Sequence, residues 1–440
     1  MDGSHAGGDE EVPLVAEVGS SSSSSEVCPQ RNHARDVHIL SLAFLFVFSA
    51  YGAAQNLETT VNTEEDLGTT SLGILYLSFT FFSLVASPVV RILGSKTALV
   101  LGTSGYLLFI ASNLKPSRYT MFPASLYLGF TAALIWVGQG TYLTSAALSY
   151  AKDYHLHEGT VIGSFNGEFW AMFAGHQVIG NLFSLALLHD GKDGETVSGK
   201  NLLFTVFLCC MVVGIILMCF LSKRNEKENG PATNSSIGYQ LKSVVSLLVD
   251  KRMLLTIPLI VYSGLQQAFV WAEFTKEVVT PSLGVSGVGG AMAIYGAADA
   301  ICSLFAGRLT SGLYSITLIV SGGAFLQIIV ILWLLFGYSL TSGQLGYICP
   351  LLIAAVWGVG DGVFNTQLSA LLGILYKHEK EPAFAQLKLW QSAAIAVIFF
   401  SSPYLSLQAM LIMLVAVLCI SLLSFIYLTL QVERSFTLGS

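Results

Sequence analysis

The sequence predicts an all-α membrane protein, a twelve-helix bundle of two pseudo-symmetric six-helix halves. Three observations carry that expectation. Of the 440 residues, 53% are hydrophobic and only 11% are charged, with a mean hydropathy of +0.68, far outside the soluble range. The apolar residues fall into twelve runs long enough to span a bilayer core, which takes about 20 helical residues. A skeleton Gly-polar-Gly-x-aromatic-x-Thr also occurs twice, as G-Q-G-T-Y-L-T from Gly138 and G-D-G-V-F-N-T from Gly360. The two copies lie about half a chain apart, the trace expected of a duplicated helical unit.

Residues 1–36 are acidic and rich in glycine and serine, a composition that cannot bury a core and predicts a disordered tail. Spans are expected near 37–57, 70–90, 97–113, 121–149, 160–188 and 201–222, forming the first half. A charged linker at 223–252 separates them from spans near 253–275, 286–307, 314–337, 345–375, 382–402 and 406–430, and residues 431–440 form a short tail. Lysine and arginine fall unevenly on the two sides, 16 against 5. By the positive-inside rule this places both termini and the linker in the cytoplasm. The acidic loop Glu58 to Asp66 then faces outward, and the sequon at Asn234 lies inside. The plasma membrane is the expected location. The seven cysteines show no metal-type spacing and read as small apolar packing residues. No cofactor, metal or nucleic-acid partner is implied, and no nucleophile–base arrangement argues for an enzyme.

Polar residues inside the spans are the candidate functional groups. Asp361 stands in the middle of an apolar run, where a carboxylate costs ~3 kcal/mol on insertion scales. It is expected to face a cavity or a partner, with Asn365 and Gln139 as candidate hydrogen-bond partners. Gln266 and Glu273 in span seven and Gln55 at the end of span one are further cavity candidates, although an interfacial cap reads as well for the outer ones. Asp299 in span eight is a buried acid, either functional or a structural hydrogen-bond node. Glu168 and Lys388 occupy matching positions in the repeat that aligns residues 163–170 with 383–390, and so form a candidate charge pair. The alternative places Lys388 among the cytoplasmic headgroups. Gly163 and Gly167, like Gly358 and Gly362, have the G-x-x-x-G spacing of close helix packing.

Two six-helix halves and a charged linker are the layout of the major facilitator superfamily. Within it the chain resembles the uncoordinated-93 (Unc-93-like) family, plant members in particular. The resemblance rests on W-V-G-Q-G-T-Y-L-T (136–144), Y-S-G-L-Q-Q-A-F (262–269), G-A-A-D-A-I-C-S-L-F-A-G-R-L-T-S-G (296–312) and W-G-V-G-D-G-V-F-N-T-Q-L (357–368). It implies a major-facilitator-type bundle and a role in regulating potassium channels and potassium balance; an animal branch escorts immune receptors instead. One departure from the superfamily is clear. Where the loop between spans two and three usually carries an acid, this chain has Arg91, followed by Lys96, and the matching loop around Arg308 also lacks the acid. That weakens the expectation of conventional alternating access. The expected function is therefore regulation of a potassium channel partner within the lipid bilayer. The alternatives are transport of a small solute or cation and escort of another membrane protein.

Overall fold

The protein, seen in a computed structural model, is described over residues 32–61, 67–188, 196–224, 237–337 and 344–437. Most of the N-terminal tail, part of the acidic loop and residues 225–236 of the linker, Asn234 among them, lie outside the described residues. The helices are α1 (His33–Val61), α2 (Leu67–Leu93), α3 (Ser95–Ser112), α4 (Arg118–Asp153), α5 (Glu158–Leu188), α6 (Thr196–Cys219), α7 (Ile237–Leu247), α8 (Lys251–Phe269), α9 (Thr280–Leu309), α10 (Leu313–Phe336), α11 (Gln344–Leu375), α12 (Lys380–Ser401) and α13 (Leu407–Thr437). All but α7 correspond to the expected runs. Ten spans are long and apolar enough to cross a membrane among the described residues. Neither α3 nor α5 is among those ten, and α5 carries Asn166, Glu168, His176, Gln177 and Asn181. A polar helix can occupy such a bundle when its polar groups face protein or a cavity.

Three details differ from expectation. First, α1 begins at His33, inside the segment read as tail, because its first turn is tied down by partners from α4 and the chain beyond α6. Second, the linker contains α7, whose Val244 and Leu247 are buried and whose Val244 carbonyl accepts from Gln386 Nε2 of α12 at 2.8 Å. Third, α8 does not end in a loop. It continues as a π-helix, Val270–Val279, straight into α9, and Thr280 Oγ1 donates back to the Thr275 carbonyl at 2.7 Å. The chain turns instead at Gly284, whose φ of 75° is the left-handed region that glycine enters without strain. π-turns of this kind recur at functional sites, and here the turn carries Trp271 and Glu273.

Helix α9 lies between α5 and α11, and the glycines explain how close the three come. A Cβ on Gly307 would stand 2.4 Å from the Gly167 Cα, and one on Gly163 would stand 2.4 Å from Thr310 Cβ. On the other side of α9, a Cβ on Gly358 would meet the Tyr295 carbonyl oxygen at 2.2 Å, and one on Gly362 would meet that of Asp299 at 2.8 Å. Backbone-to-backbone contact of this kind is what small-xxx-small spacing provides in membranes. At the start of α8, Asp250 accepts from the Arg252 backbone N–H at 2.7 Å and from its guanidinium at 2.8 Å. Partial burial pushes this carboxyl up, but the hydrogen bonds and charge of Arg252 outweigh it and hold it below the ordinary carboxylate range.

Candidate functional site

Asp361 is 5% exposed and is the acceptor for four side-chain donors. Its Oδ1 accepts from Gln266 Nε2 at 2.9 Å, Gln267 Nε2 at 2.8 Å and Asn365 Nδ2 at 2.8 Å, and its Oδ2 from Tyr295 OH at 2.6 Å. These donors come from α8, α9 and α11, so a single carboxylate ties three helices together. Behind it, Gln327 of α10 donates to Gln266 Oε1 and accepts from Tyr262 OH. Four charge-assisted bonds offset much of the burial cost of the charge.

The network forms one wall of a cavity of about 130 Å³, room for several waters or a small solute. Helices α1 to α5 contribute mostly rings, among them Phe48, Tyr51, Tyr106, Trp136, Trp170 and Phe173. From the other side come Gln267, Trp271, Tyr295, Asp299, Asp361, Asn365, Lys388 and Gln391. At the end of the bundle where α1 begins, the way out is shut. Phe384 lies so close over Gly140 that a Cβ there would be 2.3 Å from its ring. Trp170 Nε1 donates to Ser369 Oγ at 3.1 Å, Lys380 Nζ to Ser145 Oγ at 2.8 Å, and Lys377 pairs with Glu158.

Lys388 sits where the sequence did not place it. Its ammonium is 4.3 Å from the ring centre of Trp136 and 5.7 Å from that of Trp170, two indoles stacked at 5.8 Å. It is buried rather than among headgroups, and it donates to Gln391 Oε1 at 2.8 Å. Gln391 Nε2 in turn reaches Asn365 Oδ1 at 3.4 Å, so two amides link the ammonium to Asp361. The expected pair with Glu168 is not formed. Glu168, two residues before Trp170 in α5, is half-buried and pairs with His38 of α1. Equivalent positions in a repeat fall on matching helices, here α5 and α12, and the rotation of each helix then decides which way the side chain points.

The remaining candidates divide. Asn365 and Gln266 bond Asp361 as described, and Asn365 also lines the cavity. Gln55 lines it too, donating to Tyr76 OH at 2.9 Å. Asp299 lines it at 6% exposure and accepts from Ser303 Oγ at 2.9 Å. Gln139 does not join. It is buried in α4, away from the cavity wall, and its Nε2 finds no acceptor among the described residues. Glu273 accepts from Ser402 instead of lining the cavity. Arg91 and Lys96 are half-buried between α2 and α3, and Arg308 is exposed at the end of α9.

One cluster was not read from the sequence. Arg224, just past α6, donates to Asp36 Oδ2 at 3.0 Å and lies 2.7 Å from His33 Nδ1, while its guanidinium stacks on Tyr142 at 5.0 Å. Asp36 also accepts from Tyr142 OH at 3.1 Å and Ser222 Oγ at 3.0 Å, and His33 Nε2 lies 2.9 Å from Asp153. The available signal was an acid in the first turn of span one and a base directly after span six. Arg224→Ala is expected to cost about 3–5 kcal/mol, because it strands the buried Asp36 carboxylate. Arg224→Lys should restore little, since lysine lacks the guanidinium fork. Thermal unfolding in detergent checks both, and an unchanged Tm for the alanine variant would refute the argument.

Comparison with known proteins places this arrangement. The profile described as "Ion channel regulatory protein UNC-93" matches residues 59–426. The chain belongs to the UNC-93 family. It is 63% identical over 413 residues to "UNC93-like protein 3" of Arabidopsis thaliana, covering 92% of this chain and 88% of that one. It is 30% identical to a Caenorhabditis elegans protein, unc-93, named as a proposed potassium channel regulatory protein, over 88% of this chain and 60% of that one. Among solved structures, the human organic anion transporter MFSD10 (TETRAN) superposes with a TM-score of 0.69 at 13% identity, over 91% of this chain and all of that one. That likeness establishes a major-facilitator-type fold for this UNC-93 family member and says nothing of its cargo.

Proposed function

We propose that this UNC-93 family member is a regulatory partner of a potassium channel and contributes to potassium homeostasis. It would act from the plasma membrane, with helices α1–α6 (residues 37–222) and α8–α13 (253–430) as two halves around a cytoplasmic linker (223–252) and both termini cytoplasmic. Family membership supports this, and one observation in the cavity carries it. The carboxylate of Asp361 is already occupied by four donors of its own chain, which suits a structural tie better than a solute ligand. The second reading, transport of a solute or cation, is favoured by the cavity itself and by Asp299, which is less fully bonded. Expressing the protein beside a potassium channel in oocytes should change the channel current at least twofold. Liposomes holding the purified protein should pass neither potassium nor protons above empty controls. Flux in liposomes with no effect on current would reverse the assignment.

A further inference from the structure

The charges at the cavity wall do not balance. Asp361 is satisfied by four donors and linked through Asn365 and Gln391 to Lys388, so that carboxylate and that ammonium compensate one another. Asp299 stands apart. It is 6% exposed and lines the cavity. One hydroxyl, that of Ser303, donates to its Oδ1, and no other hydrogen-bond donor to its carboxylate is found among the described residues. Its carboxylate also lies against Gly362, next in the chain to Asp361: a Cβ on Gly362 would be 2.9 Å from Asp299 Oδ1. An acid buried beside a second acid, with one neutral donor, needs a cation to be stable as a charge.

The surroundings select the kind of cation. A bare metal ion asks for six or more oxygens at short range, and the oxygens here are largely committed to one another. The wall instead offers the rings of Phe48, Tyr51, Tyr106, Phe173 and Trp271, an aromatic lining of the kind that attracts an alkylammonium group. We propose that the cavity is a binding site for a small organic cation, an amine or quaternary ammonium carried on an apolar body, with Asp299 as its counter-ion. Lys388, held on Trp136 and Trp170 and bonded to Gln391, is the competing positive charge on the cavity wall, already partnered within the chain. The site would serve a regulator as a sensor or a transporter as a substrate site, and binding to the isolated protein is read without channel current or flux.

The test uses the full chain purified in nanodiscs and a matched set of probes: benzyltrimethylammonium, benzyl alcohol and benzoate. Tryptophan fluorescence and thermal unfolding are followed as each is titrated. Saturable quenching and a raised Tm with the cation, absent with the alcohol and the anion, are expected. Asp299→Asn should weaken the cation at least tenfold, ~1.4 kcal/mol, whereas Asp299→Glu and Glu168→Gln, the latter outside the cavity lining, should leave it within threefold. Lys388→Gln, which removes the competing positive charge, should leave the affinity equal or tighter. Preference for benzoate, equal response to all three probes, no binding at all, or Asp299→Asn binding as the wild type would each overturn the proposal. So would a site saturated by potassium chloride but not by sodium chloride or the organic cation. The comparison among probes stays decisive if Asp299→Asn fails to fold.

Discussion

Asp361→Ala is expected to lower the protein's thermal stability in detergent by a large share. The substitution leaves Tyr295 OH, Gln266 Nε2, Gln267 Nε2 and Asn365 Nδ2 without their acceptor. Stranding a buried donor costs about 1–3 kcal/mol each in water-soluble proteins. Bonds between membrane helices average only ~0.6 kcal/mol, and even that lower figure sums to nearly 2 kcal/mol over the three that cross between helices. The loss is a large share of a stability of about 5–15 kcal/mol. A fall in Tm of roughly 10 °C or more should be seen by scanning fluorimetry, with a smaller fall for Asp361→Asn, whose carbonyl keeps part of the acceptor capacity. A Tm within about 2 °C of wild type in the alanine variant would show that the network is not the tie described.

Gly307→Ala should be comparably damaging although it adds one methyl group. The new carbon would stand 2.4 Å from the Gly167 Cα, and a backbone cannot swing aside as a side chain can. Helices α5 and α9 would have to separate, giving up contacts along the seam; overpacking of this kind costs about 1–3 kcal/mol and occasionally more. Gly322→Ala is the control, for nothing lies within 4 Å of its added carbon. There the change should be neutral or stabilising by up to ~1 kcal/mol, from improved helix propensity. Equal Tm values for the two variants would disprove the tight seam.

Much of the architecture was readable because apolar runs and breaks report directly on a bilayer. The boundaries of α2, α4, α10 and α11 lie within a few residues of the expected spans. The π-turn was not readable, since it depends on which carbonyl Thr280 reaches. Asp361 announced itself by its cost, and its neighbour Asn365 by helical spacing. Its other donors came from α8 and α9, whose rotation no local pattern records. Lys388 shows the limit most clearly. Its place was argued from its own helix, but two indoles on α4 and α5 decide it. Arg224 and Asp36 were counted among loop and tail charges, and only the folded chain shows them buried together.

Both carboxylates and the ammonium at the cavity wall stand on α9, α11 and α12, while α1 to α5 supply mainly rings and amides. A hinging of one group of helices on the other would therefore keep each carboxylate with its present neighbours. Around them it is hydration that changes, while Lys388 would leave the indoles of Trp136 and Trp170 and Lys377 would part from Glu158. The balance between open and shut forms should answer to osmotic pressure, which withdraws water, and to ionic strength, which screens the Lys377–Glu158 pair.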